Sequence, residues 1–233
     1  DVILLLPFLD AESCVNAALR LREFSPAVLE YLDTDIVEFS GKVTGNPVFP
    51  VEMDGQRVGA TLMLTLEGEN EDALQMEAVA ELAEELECLD ILVVDTPTLK
   101  RDVWAAHDAF HASMETAAHE SEINVNVPSQ SVAGFVNYAK EQGAAQGLRV
   151  MAYAHVGSGG VHVNIISDTG ADMDGIMELI YAKCSELGGD VKGEYGVGYS
   201  KKAYLNEEKR SDFKSKKANF DPKGILNPGK VAD

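Results

Sequence analysis

Apolar positions along this chain recur with a period of two in some stretches and near 3.6 in others, and the switches mark out its elements. Residues 2–7 form a short apolar run closed by a proline and read as a buried strand. Asp10 supplies an N-cap, and Glu12 a first-turn acid, for a helix running to about Phe24, which Pro26 stops. A second strand is expected over residues 27–32, with Asp33 and Thr34 turning the chain. Gly41, Gly45, Pro47, Pro50 and Gly55 crowd residues 39–58, which read as a loop or small insertion. Residues 60–66 alternate as a strand. Over residues 69–86, Leu74, Val79, Leu82 and Leu86 share one helical face, while Glu69, Glu71, Glu77, Glu81, Glu84 and Glu85 form a solvated one. Further strands are expected at residues 91–94, 123–127, 149–154 and 161–166. Further helices are expected at residues 98–119, 129–146, 173–187 and 206–217, before a tail over 219–231. This order predicts an α+β fold of ferredoxin-like units, with a largely antiparallel sheet covered by helices on one face.

Composition narrows the class. Hydrophobic residues make up 45% and charged residues 25% of 233, an ordinary globular balance with a sizeable core. No apolar run reaches the ~18 residues of a membrane-spanning helix. The opening D-V-I-L-L-L-P-F is short and lacks a basic flank, so it reads as a strand rather than a signal peptide. A start at Asp1 reads as a piece of something longer. The formal charge of −20 disfavours nucleic acid and anionic membrane surfaces. Cys14, Cys88 and Cys184 are far apart and form no C-x-x-C pair, so each reads as a small buried apolar residue. Cytoplasm is the expected compartment.

Candidate chemistry gathers at residues 153–164, Y-A-H-V-G-S-G-G-V-H-V-N. His155 and His162 flank a turn in which Gly157, Gly159 and Gly160 permit backbone angles other residues avoid. A strand–turn–strand would bring both imidazoles together, and two imidazoles are half of a metal site. Glu194, within K-G-E-Y-G-V-G-Y at 192–199, is the candidate third ligand. Spacing alone leaves open a glycine hairpin carrying two unrelated histidines.

Three motifs together resemble a known family: H-V-G-S-G-G-V-H, then K-G-E-Y-G-V-G-Y-S-K-K-A-Y-L, then F-D-P-K-G-I-L-N-P-G-K-V. Softer matches are P-A-V-L-E-Y-L-D at 26–33, Trp104 with a partner three residues on, and N-V-N-V-P-S at 124–129. In order and spacing these resemble the FAD-linked oxidase C-terminal domain of flavoenzymes such as the glycolate oxidase catalytic subunit, D-lactate dehydrogenase and D-2-hydroxyglutarate dehydrogenase. The resemblance covers nearly the whole chain. It implies one cap domain over residues 1–233, covering a flavin held by a separate upstream FAD-binding domain. It also implies a 2-hydroxy-acid substrate giving a hydride to FAD, with an electron-transfer subunit and a homodimer among the partners. His155, His162 and Glu194 match ligands of a divalent metal such as zinc, manganese or iron. Tyr195 matches the catalytic position next to the metal, close to the flavin, and Asn227 with Lys230 matches the closing segment that packs on the flavin domain.

The departures bear on activity. Ser158 and Gly160 replace the acid and asparagine of the family's usual turn, and Tyr195 stands where a histidine usually serves as base. With an ordinary pKa of about 10, a tyrosine there needs a metal or cation nearby to accept a proton at neutral pH. His107 replaces an arginine that clamps the substrate carboxylate, and Glu122 replaces another basic residue. His107 and His111, one helical turn apart, offer a substitute polar patch or lie exposed on a helix. Two alternatives therefore stand beside the enzyme: a non-catalytic relative serving as a structural or assembly subunit, and a stand-alone ferredoxin-like binding module.

Overall fold

The computed structural model describes residues 1–67 and 72–231, without the side chains of 72–75. The first turn expected at residues 69–71 and the core position Leu74 lie outside that description. Nine strands alternate with seven α-helices among the described residues: β1 (Val2–Phe8), α1 (Ala11–Leu21), β2 (Val28–Asp33), α2 (Thr34–Thr44), β3 (Glu52–Met53), β4 (Gln56–Arg57), β5 (Ala60–Leu66), α3 (Asp72–Glu85), β6 (Leu92–Val94), α4 (Pro97–Met114), β7 (Glu120–Asn126), α5 (Val132–Ala145), β8 (Arg149–His155), β9 (Gly160–Ile166), α6 (Asp174–Glu186) and α7 (Glu207–Phe220). Seven strands form one sheet in the order β6-β1-β5-β2-β8-β9-β7, and every neighbouring pair is antiparallel. The α+β architecture with an antiparallel sheet is as the sequence predicts.

Alternation within β1 shows how the sheet is covered. Leu4, Leu6 and Phe8 point into one core, shared with α1, α3, α5 and α6. Ile3 and Leu5 point into a second core, where Ile36 and Val37 of α2 meet Val103, Ala106, Phe110 and Met114 of α4. Helices thus pack on both faces, and the single helical layer expected from the sequence is one of two. The second layer escaped because α2 falls where a turn and loop were expected. Its start is capped by Asp33, whose side chain accepts from the Asp35 amide at 3.1 Å, and Gly45, at φ +69°, ends it.

The expected N-cap of α1 is formed: Asp10 Oδ1 accepts from Ser13 N at 2.8 Å. Replacing Asp10 with alanine removes that partner and is expected to cost about 1 kcal/mol. Urea unfolding checks it, with a lower midpoint and an unchanged slope. Helix α4 starts at Pro97, whose missing N–H costs nothing in a first turn, and ends at Met114 rather than at His119. Strand β7 then begins at Glu120, bringing Glu122 into the sheet. Helix α7 has no buried side chain; Phe220 at its end and Ile225 and Leu226 beyond it are exposed. Among the described residues, no helix is long and apolar enough to cross a membrane.

A candidate metal centre at the β8–β9 turn

Strands β8 and β9 pair as a hairpin with His155 opposite Gly160 and Tyr153 opposite His162, which sets both histidines on the face covered by α2 and α4. The turn depends on Gly159, at φ +77°. Its N–H donates to the His155 carbonyl, and its own carbonyl accepts from Val127 N at 2.8 Å. A Cβ there would stand 1.9 Å from the Val127 carbonyl oxygen, so only glycine lets the turn lie against that strand end. The His162 ring stacks on Tyr153 at 4.3 Å, and the two imidazoles meet edge to face at 5.3 Å.

Glu194 reaches this pair from the irregular segment after α6. Gly193, at φ +54°, presses against the Asn124 backbone, and Asn124 Oδ1 accepts from the Glu194 amide. The Glu194 carboxylate then stands 3.0 Å from His155 Nε2 and 3.6 Å from His162 Nε2. One ligand atom from each of His155, His162 and Glu194 lies within 4.8 Å of the others. Tetrahedral ligands at ~2.0–2.1 Å from an ion sit roughly 3.3 Å apart, so this donor set fits a divalent metal.

The outer nitrogens are anchored as metal-ligating imidazoles usually are. His155 Nδ1 lies 2.7 Å from Glu30 Oε2, because β2 pairs with β8 in a register that sets Glu30 opposite His155. His162 Nδ1 lies 2.6 Å from Glu122 Oε1. The second Glu122 oxygen faces His111 Nδ1 at 3.1 Å. Burial pushes Glu122 up, but the imidazoles of His162 and His111 and the Lys201 ammonium outweigh it and hold the carboxyl below its ordinary value. Glu30 behaves alike: burial raises it, and His107 and His155 together bring it below. The hydrogen bond to Glu30 raises His155 above its ordinary value. Burial and the charges of Glu122 and Glu194 push the Tyr195 phenol up.

Replacing Glu30 with glutamine is expected to weaken divalent-metal affinity by about 10–100-fold through loss of that orientation. A competition titration against a chromogenic chelator reads it, and an unchanged affinity would remove Glu30 from the centre.

The other expected residues divide. His107 lies at the edge of the same cluster, with Nε2 buried, unpartnered and 3.9 Å from Glu30, and its ring 5.4 Å from both Trp104 and Phe110. Tyr195 is exposed beside the ligands, its ring 6.0 Å from His162. Asn227 is elsewhere, in the tail, lining a groove with Phe213, Phe220 and Leu226. Lys201 is buried under the site and donates to the Asn124 carbonyl at 2.6 Å, whereas Lys202 bonds the Gly229 carbonyl in the tail. Sequence reasoning missed Glu30, Asn124 and Asn164. Asn164, two residues beyond His162 on the same face, is fully buried with neither amide atom partnered, leaving a donor and an acceptor open to a polar ligand. The H-V-N alternation after the turn was the available signal.

Residues 1–231 match the family described as FAD linked oxidases, C-terminal domain. The chain belongs to that family. It is 32% identical to a D-lactate dehydrogenase of Anaerostipes hadrus, over 99% of this chain and 52% of the relative. It is 25% identical to the glycolate oxidase subunit GlcD of Bacillus subtilis, over 96% of this chain and 48% of that protein. The FAD-linked oxidase domain thus spans about half the length of the curated relatives it matches. Its fold is also that of a solved p-cresol methylhydroxylase, with a TM-score of 0.70 at 14% identity, covering 99% of this chain and 52% of that one.

Proposed function

We propose that this FAD-linked oxidase C-terminal domain is the cap and substrate domain of a cytoplasmic flavoenzyme that oxidises a 2-hydroxy acid of the glycolate or D-lactate type. The observation that carries the reading is the convergence of His155, His162 and Glu194, with both imidazoles anchored from behind by carboxylates. The reaction takes a hydride from the α-carbon and a proton from the hydroxyl, leaving a 2-oxo acid. FAD, held mainly by an upstream domain, supplies the hydride acceptor, and electrons pass on to a separate electron-transfer subunit; a homodimer is the expected assembly. A zinc, manganese or iron ion held by these three ligands would supply Lewis acidity toward the substrate hydroxyl.

The chain's own residues do the rest. His155, His162 and Glu194 would hold that ion, and Glu30 and Glu122 keep the imidazoles turned. His107 offers its unpartnered Nε2 to the substrate. Tyr195 takes the catalytic position: burial and the charges of Glu122 and Glu194 hold its phenol protonated, and a cation at the three ligands would offset them so that the phenolate could receive the hydroxyl proton. Tyr195 and Asn227 present the surface that meets the flavin and its domain.

Full-length protein, loaded with FAD and a divalent metal, tests this with D-lactate or glycolate and an artificial electron acceptor. Formation of the 2-oxo acid supports the reading. Its absence with both acids favours a non-catalytic assembly subunit, for which the replaced base and clamps at Tyr195, His107 and Glu122 speak.

A further inference from the structure

We infer that Glu122 sets the choice of substrate: it closes the pocket to a second carboxylate, so that short 2-hydroxy monocarboxylates are taken and 2-hydroxy dicarboxylates refused. The inference rests on the reaction proposed above and adds the substrate's charge to it.

The site's polar wall is acidic and imidazole-lined. Glu122 faces two imidazoles of the site, His162 Nδ1 at 2.6 Å and His111 Nδ1 at 3.1 Å. Glu30 takes the equivalent place on the other side, between His155 and His107. Among the described residues, every ion pair of Glu30, Glu122 and Glu194 is with a histidine, and none is with lysine or arginine. Lys201 acts on Glu122 through its charge, but its ammonium donates to the Asn124 and Lys192 carbonyls below the site. The buried, unpartnered amide of Asn164 lies opposite Glu122 in the β7–β9 register and offers polarity without charge.

A substrate's first carboxylate and hydroxyl have a place at the His155–His162–Glu194 centre. A second carboxylate two or three carbons further on meets Glu122 or Glu30, whose ion-pair partners are imidazoles rather than lysine or arginine. Like charges about 6 Å apart at an effective dielectric near 20 discriminate by roughly 100-fold. A short neutral chain meets no such barrier.

Full-length holoenzyme carrying FAD and metal tests this through the ratio of kcat/KM for D-lactate to that for D-2-hydroxyglutarate, in the wild type, Glu122→Gln and His111→Arg. The wild-type ratio is expected at about 100 or more, and each variant should lower it at least tenfold. His111→Arg adds a cation while leaving the Glu122–His162 bond in place. Both acids need the same metal and flavin, so a variant that merely loses metal or folds poorly depresses both and leaves the ratio alone. A wild-type ratio within threefold of unity, or a ratio neither variant moves, overturns the inference. Should neither acid turn over, the reaction proposed above fails. The inference is then read from the two acids' Kd values, titrated by flavin absorbance, where equal affinities overturn it and a hundredfold preference for lactate sustains it.

Discussion

His162→Ala is expected to strip the divalent ion from the protein and to lower kcat/KM for a 2-hydroxy acid by at least about 10³-fold. Lewis-acid stabilisation is worth several kcal/mol, and each 1.36 kcal/mol is a factor of ten in rate. His162 is the most constrained of the three ligands: its side chain is only 2% exposed, it stacks on Tyr153, and Glu122 holds its outer nitrogen. Its ligating nitrogen therefore has one place to be, whereas the Glu194 side chain is half exposed. Metal content by mass spectrometry after dialysis without chelator gives the first half of the result, about one ion per chain in the wild type and none in the variant. Steady-state turnover gives the second. A variant that keeps its ion, or that loses it and keeps its rate, would sink the metal role. Circular dichroism separates these outcomes from unfolding, because a variant that keeps the wild-type spectrum has kept its sheet and helices.

Much of this centre was legible in the sequence, for a physical reason. His155 and His162 are seven residues apart across a glycine-rich turn, so local geometry alone brings their rings together. Glu194 was legible through its glycine neighbours, since Gly193 takes a left-handed angle against Asn124 that a side chain would block. Glu30 was not. It joins His155 because β2, more than a hundred residues earlier, pairs with β8, and no periodicity encodes which strands become neighbours. Glu122 was noticed as a departure from the family pattern, but its pairing with His162 depends on the β7–β9 register and its pairing with His111 on where α4 lies.

The fold divides in the same way. Strands and long helices with clear periodicity were legible, while α2 was not, because Gly41 and Gly45 suggested a loop. Gly41 sits inside that helix for a packing reason: a Cβ there would come within 3.2 Å of Pro47 Cα. The β3–β4 ribbon carried a readable signal that was passed over, the Asp54–Gly55 pair. Both residues adopt positive φ, as a tight hairpin turn demands.

Lys140→Met is expected to destabilise the protein by about 3 kcal/mol at neutral pH, the scale of breaking a buried ion pair by removing one partner. Lys140 Nζ on α5 holds both oxygens of Asp33, at 2.9 and 2.7 Å, and one oxygen of Asp35 at 2.7 Å. The Asp33 side chain is almost completely buried at the junction of β2 and α2, so its charge has no route to water once the ammonium is gone. Burial already raises its pKa, outweighing Lys140, and the variant raises it further. The sign of the pH dependence follows. Between the unfolded value, about 3.9, and the raised native value, the folded variant binds more protons than the unfolded chain, so its stability rises as pH falls through that window. Urea midpoints of wild type and variant should therefore diverge most above the native Asp33 value and converge towards pH 4. Adding Asp33→Asn to Lys140→Met should recover most of the loss, because it removes the stranded charge while asparagine still caps α2. A single variant costing under 1 kcal/mol, or a double mutant no better than the single, would show that this ion pair does not hold α5 to the β2–α2 junction.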